Sequence, residues 1–536
     1  MLGQMMQRPL LTTELLRYGA ELHGDDLVIS AAVEGGVHQQ TYRDHAHRAA
    51  QLGQALRRLG IGIGDRVATL AWNGYRHLEL YYGVPGIGAI CHTLNPRLSA
   101  EQMIYITNHA EDRLMFLDLT FVPIIEKLAP QFPADMRYVL MTDAANMPES
   151  SIDFLCYEDL LAAEDGALDW PEFDENTAAG LCYTSGTTGN PKGSLYSHRS
   201  QVLHAFSACV NLQNALRKGR RLMPVVPLFH ANAWGTAHAP LLTGTSLVMP
   251  GPRLDGASVF DLLESAEVFS AFGVPTVWLG LLAEVEKRGR APKGFGEIVV
   301  GGSAAAASLI RSFEEWGVNV VHAWGMTEMS PLGTVGALTP AEQERSFDER
   351  IALKVYQGRR AFGVDLKIVD EQGAAQPHDG KALGELFVRG NTVVSGYYNN
   401  AEASAAAMDE EGWFGTGDVA AITPEGHLVI SDRTKDLIKS GGEWISSIDV
   451  ENMAIGLDEI ANCAVIAVPD EKWGERPILI AVPSCDPAPD PQSILDHLAT
   501  RLAKWQVPDR VVFVEDLPLT ATGKVSKLTL RQRFAE

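Results

Sequence analysis

Apolar positions recur along the chain at two periods, and the period changes near residue 355. Over Thr41 to Leu59, Ala46, Ala49, Ala50, Leu52, Ala55 and Leu56 fall on one helical face, and Gly60 stops the helix. Asp65 to Ala71 then reads as a buried strand, followed by a helix that includes His77 to Tyr82. Such alternation predicts a parallel sheet with helices on its faces. The rhythm persists to about residue 335, with strand-like runs at Arg221–Leu228, Ser246–Met249 and Ile298–Val300. Phe260–Glu267 and Pro275–Lys287 are helix-like. Beyond them, Val364–Val369 and Gly384–Arg389 alternate strictly, as half-exposed strands do, and predict a β-rich subdomain at about 350–430. The charged run Ser431 to Asp436 reads as a boundary. After it come a helix at Ser447–Ile455, a strand at Ala464–Val468, a Pro-rich turn over Pro483–Pro491 and a helix at Ile494–Lys504. The expected fold is α/β with a β-rich subdomain: a large domain over 1–432 and a small α+β domain over 433–536.

Charge excludes one class of partner. With 67 acidic and 44 basic side chains the chain carries a net charge of −23, whereas nucleic acid and anionic lipid select basic surfaces. Six scattered cysteines show no metal-ligand spacing and read as reduced thiols. The longest apolar run, Leu80 to Ile90, contains Pro85 and three glycines and does not predict a membrane span. Glu14 and Arg17 interrupt the early leucines, so no signal pattern opens the chain and a cytoplasmic location is expected.

The densest chemistry lies in Tyr183 to Gly193. Three glycines, the hydroxyls of Thr184, Ser185, Thr187 and Thr188, and Lys192 follow the apolar run Leu181–Tyr183. Glycine lets backbone N–H groups approach an anion, hydroxyls add donors, and lysine adds a mobile positive charge. Ser197 then caps a predicted helix whose apolar face carries Val202, Leu203, Phe206 and Val210. No Gly-Lys pair here precedes Ser or Thr, so the loop is not a Walker A sequence.

The loop resembles the phosphate-binding loop of the adenylate-forming superfamily: acyl-CoA synthetases, peptide-synthetase adenylation domains and firefly-type luciferases. The resemblance implies that Thr184, Ser185, Gly186, Thr187, Thr188, Gly189 and Lys192 hold ATP phosphates. It extends to five further stretches. His322-Ala323-Trp324-Gly325-Met326 and Gly302-Ser303-Ala304 would bind the nucleotide, Thr327 would contact its α-phosphate, and Glu328 with Thr184 would hold Mg²⁺. Trp324 replaces the tyrosine usual in the family. Asp418, closing Gly412 to Asp418, would bind the ribose hydroxyls with help from Arg433, while Lys435 would sit at the pivot of a mobile small domain. Lys439, Gly441, Gly442 and Trp444 would line the path of the coenzyme A arm. Lys524, in Thr520-Ala521-Thr522-Gly523-Lys524, matches the family's catalytic lysine.

For the acid, the resemblance points to His230, Trp234, Val274, Gly301 and Pro331, with Trp234 in the position of a gate residue. Phe229 to Gly235 contains no aspartate for an amino-acid amine, which disfavours a peptide-synthetase substrate. The nearest branch is bacterial medium- or long-chain fatty-acyl-CoA synthetases and 3-methylmercaptopropionyl-CoA ligases. The implied reaction joins a carboxylic acid to coenzyme A through an acyl-adenylate, releasing AMP and pyrophosphate. A medium-chain acid is favoured over a short or methylthio acid. A silent acyl- or nucleotide-binding homologue ranks lower, because Lys524 and Glu328 are both present. The branch also implies a homodimer.

Overall fold

The computed structural model describes residues 1, 3–184, 190–440, 443–520 and 523–534. Among these residues the strands form sheets of seven, thirteen and five strands. The seven-stranded sheet is parallel from Phe154–Cys156 through Arg137–Leu140, Leu114–Leu117, Arg66–Leu70 and Ile90–Thr93 to Ala178–Thr184. Its last strand, Lys192–Ser197, returns antiparallel on the far side of the glycine-rich loop.

The predicted helix at 41–59 forms over Tyr42–Arg58, because Thr41 accepts from the Asp44 N–H and the Asp44 carboxylate accepts from the Thr41 N–H. It packs on Tyr75–Gly86, where every residue but Arg76 is buried. A helix enclosed on all sides has no polar face to show. One of its faces joins Leu80 and Val84 to the core around Val67 and Phe116, while Leu78, Tyr81 and Tyr82 join the core around Leu222 and Phe272.

In the thirteen-stranded sheet, Arg221–Pro224, Ser270–Gly273, Glu297–Val300 and Asn319–Gly325 run parallel. Asn319–Gly325 then pairs antiparallel with Leu332–Val335, and the sheet continues through the alternating strands of the β-rich stretch. That stretch is therefore the antiparallel wing of the central sheet. Residues 322–325 end the strand where the sheet changes direction, and Met326 leads into the Thr327–Met329 turn.

Three local expectations need correction. The strand expected over 221–228 ends at Pro224, after which the Val225 and Val226 N–H groups both donate to Phe272 O. Pro491–Ala499 is the helix expected at 494–504; it begins earlier because Asp490 caps it at the Gln492 N–H. In the helix His198–Asn211, Phe206 and Val210 are 48% and 61% exposed. The inner face carries Val202, Ala205 and Ala208 with two histidines: His198 Nδ1 meets Thr12, and His204 Nε2 accepts from the Leu332 N–H. Small residues let this helix approach closely, so its buried stripe is rotated from the one that large apolar residues suggest.

The small domain is a five-stranded sheet built on the long hairpin Ile460–Asp470 and Gly474–Pro483, covered by Ser447–Ile455 and Pro491–Ala499. No helix among the described residues is long and apolar enough to cross a membrane.

Candidate active site

Two cavities, of about 450 and 410 Å³, meet between the central sheet and the small domain. Thr184 and Lys192 reach the first from the two strands that flank the glycine-rich loop. Ser185, Gly186, Thr187, Thr188 and Gly189 lie outside the described residues, as do Gly441 and Gly442. Thr327 and Glu328 enter on a single turn after Gly325. That turn is pinned twice: the buried Tyr196 hydroxyl donates to Thr327 O at 2.6 Å, and Val394 N–H donates to Glu328 O at 2.8 Å.

Burial pushes the Glu328 carboxyl up, and a hydrogen bond from Tyr397 OH to Oε1, at 2.8 Å, opposes this. The Tyr397 ring also seats the Lys192 ammonium 4.9 Å from its centroid. One side chain therefore orders both the carboxylate and the lysine. Sequence reasoning passed over Tyr397, which sits in the turn-rich stretch Gly396–Asn400 with nothing local to mark it as chemical. Its role follows from a contact across 69 residues.

Lys524 arrives from the small domain. Its N–H donates to Thr520 Oγ1 at 3.2 Å and its carbonyl accepts from Thr520 N–H at 2.6 Å, with Gly523 at φ +80° making the turn. The amine lines both cavities. Desolvation, reinforced by the positive charge of Arg433, lowers its pKa to about 8, against the pull of Asp418 and Glu328. Lys192, Arg433, Lys435 and Lys524 all line the first cavity, so a chain of strongly negative charge concentrates cations at one point.

Asp418 is buried and lines the second cavity, as do Gly302, Ser303, Ala304, His322, Ala323, Trp324 and Gly325. Arg433 Nε lies 2.7 Å from Asp418 Oδ1, and the Trp324 indole N–H donates to Asp418 Oδ2 at 3.1 Å. The His322 imidazole is held near pKa 4 by burial, with Nδ1 2.9 Å from Val355 O. Thr434 N–H and Oγ1 both donate to Gly417 O, so the segment entering the small domain stays fastened to the central sheet as far as the Lys435 position.

The apolar end of the first cavity is walled by Leu212, Trp234, Phe272, Val299, Pro331 and Leu332. His230 and Gly301 line it, and burial holds His230 near pKa 4 and therefore uncharged. Trp234 lies against bare backbone: a Cβ added to Gly301 would meet its ring at 3.3 Å, and one added to Gly302 would meet Val274 Cγ1 at 3.2 Å. Ala231 to Trp234 all adopt positive φ, between 44° and 58°, and Gly235 follows at 83°. Each such non-glycine residue costs about 1–2 kcal/mol, and strain of this kind collects where a site is shaped. Leu212, Phe272, Val299 and Leu332 were not singled out from sequence, because they are indistinguishable there from other core residues. Met326 lines this cavity too. Lys439 and Trp444 line neither cavity; Lys439 stacks on Trp444 and faces Glu371.

This arrangement can hold a polyphosphate at the cationic end, a ribose at Asp418 and an apolar acid beyond His230. The chain matches the AMP-binding enzyme family over residues 17–398 and the AMP-binding enzyme C-terminal domain over residues 449–524. It is 47% identical to a 3-methylmercaptopropionyl-CoA ligase of Ruegeria pomeroyi, covering 100% of this chain and 99% of that protein. It is 45% identical to a medium-chain-fatty-acid–CoA ligase of Ectopseudomonas oleovorans (100% and 98% covered) and 43% to a long-chain-fatty-acid–CoA ligase of Thermus thermophilus (99% and 96%). Among solved structures, an anthranilate CoA ligase bound to anthranoyl-AMP superposes with a TM-score of 0.87 at 24% identity over 98% of both chains. A Mycobacterium tuberculosis fatty acyl CoA synthetase does so at 0.72 and 27%, again over 98% of both. With a family model covering more than half its length and whole-length relatives above 40% identity, the chain belongs to the AMP-binding enzymes.

Proposed function

We propose that this acid–thiol ligase joins a medium-chain fatty acid to coenzyme A through an acyl-adenylate. The observation that carries the reading is the continuous first cavity. It is lined by the charged Lys192, Glu328 and Lys524, by His230, and by the apolar Leu212 and Phe272. A carboxylate is a poor acyl donor, since its leaving group is oxide. Attack of its oxygen on the α-phosphorus of ATP expels pyrophosphate and leaves AMP as the acyl leaving group. Negative charge grows on the α-phosphate in that step, and the Lys524 ammonium and Thr327, which both line this cavity, would stabilise it. An uncharged His230 lets the acid approach without a competing ion pair. The thiol of coenzyme A then attacks the acyl carbon, forming the thioester and releasing AMP. Lys439 and Trp444, which line neither cavity in this orientation, would serve the second step after the small domain turns about Lys435.

A carboxylate beside hydroxyl oxygens, facing the place of substrate phosphates, suits Mg²⁺. Glu328 and Thr184 would hold the ion, which when bound would neutralise charge on the phosphate oxygens. Tyr397→Phe should raise the Mg²⁺ concentration needed for half-maximal ATP binding about tenfold or more, the loss expected for one hydrogen bond to a charged group. A Mg²⁺ titration of ATP binding measures this, and an unchanged midpoint would remove Tyr397 from the role.

The acid is tested by pyrophosphate release across acetate, propionate, 3-methylmercaptopropionate and C4 to C18 fatty acids. A maximum at C6 to C12 is expected. A maximum at the methylthio or short acids would overturn the medium-chain reading and favour the specificity that the Ruegeria pomeroyi relative is named for. The proposal includes a cytoplasmic homodimer, which sedimentation at twice the monomer mass would support and a monomer would remove.

A further inference from the structure

We propose that Trp324 is a positioning residue for nucleotide recognition: its indole N–H holds the Asp418 carboxylate in the orientation that reads the ribose hydroxyls. This rests on the reading of Asp418 as the ribose ligand. The carboxylate is 2% exposed, and its terminal torsion has no sharp intrinsic preference, so its partners decide which way its plane faces. Among the described residues each oxygen has one partner: Arg433 Nε at 2.7 Å from Oδ1, and Trp324 Nε1 at 3.1 Å from Oδ2. Each oxygen keeps a further lone pair, which suits two adjacent hydroxyl donors.

The two partners differ in rigidity. The Arg433 side chain is 42% exposed and stands two residues before Lys435, where the chain passes into the small domain. The Trp324 ring belongs to a strand inside the central sheet, lies against Gly333 and packs with Met329 and Phe414. The six-membered ring fills the space that a Cβ on Gly333 would need, 2.6 Å away, so the indole packs directly on that backbone while its N–H donates to Asp418. The Arg433 guanidinium is partly in solvent whereas the indole is enclosed, so the indole is the partner that keeps the carboxylate aimed when the small domain moves. Phenylalanine has no donor for this bond, and a tyrosine hydroxyl would project from the ring in another direction.

The test compares ATP, 2′-deoxy-ATP, 3′-deoxy-ATP and ITP in acid-dependent pyrophosphate release. It uses the wild type, Trp324→Phe and a variant carrying 3-benzothienylalanine at 324, which keeps the ring shape and lacks only the N–H. In the wild type each missing hydroxyl should cost about ten- to a hundredfold in kcat/KM, the range for a hydrogen bond to a charged group. In both variants that penalty should shrink toward one while the ATP-to-ITP ratio stays at its wild-type value. A purely structural role would lower all four nucleotides together. Unchanged deoxy penalties with a shifted ATP-to-ITP ratio would overturn the proposal and make Trp324 a base platform. Absence of any deoxy penalty in the wild type would instead overturn the assignment of Asp418, and the proposal with it.

Discussion

Lys524→Ala is expected to slow acyl-adenylate formation by about 10²–10³-fold, the cost of removing one charge-stabilising donor from a transition state. Its effect should be confined to that half-reaction. Thioester formation from added acyl-adenylate and coenzyme A should stay near the wild-type rate, because the role proposed for the lysine does not extend to attack on the acyl carbon. Pyrophosphate exchange and single-turnover thioester formation measure the two steps separately, and an equal loss in both would sink the assignment. The pH dependence supplies an independent check. Lys524 works as a cation, and enclosure beside Arg433 lowers its pKa to about 8. The charged form prevails below that value, so kcat/KM for ATP should be flat on the acid side and fall as pH rises through about 8. Lys524→Arg keeps its charge throughout this range. Whatever rate it retains should lack the alkaline fall, and a profile that still falls near pH 8 would place the titrating group elsewhere.

Gly325→Ala is the second substitution with a large expected effect, and its cause is space alone. A Cβ at 325 would stand 2.0 Å from Pro331 O and 2.9 Å from Pro331 C. That carbonyl accepts from Met326 N–H and closes the loop carrying Thr327 and Glu328. Both contacts are backbone, so no side chain can swing away and the loop itself must shift. Forced overpacking costs about 1–3 kcal/mol of stability. A displacement of about 1 Å at reacting groups costs about 10²-fold in rate. We expect lowered thermal stability together with at least a hundredfold loss of adenylate formation. A crystal structure of the variant should show the 326–331 loop displaced. Wild-type activity in this variant would mean that the loop position does not govern the chemistry.

Much of this protein was legible without a structure because its information is local. A capped amphipathic run such as 42–58 carries its own start, face and stop. A glycine- and hydroxyl-rich loop between two strands announces an anion site, and the resemblance of six stretches named residues that the fold does bring together. Thr184, Lys192, Thr327, Glu328, Trp234 and Lys524 come from positions up to 340 residues apart and line one cavity. The rotated stripe of the helix His198–Asn211 was not legible, because which face is buried depends on how closely its neighbours approach. The wing over 358–433 is equally a matter of pairing: alternation marks each strand, but only strand order shows that the wing continues the central sheet.

The sequence by itself determined the order of elements and singled out the glycine-rich loop and Lys524 as candidates, since each is a property of adjacent residues. Tertiary structure alone decided that Tyr397 orders Glu328 and Lys192, that Trp324 bonds Asp418, and that a strained left-handed turn holds Trp234 against Gly301. The physical reason is the same in each case: hydrogen bonds and close packing act over about 3–4 Å, and only folding brings residues so far apart in the chain within that range.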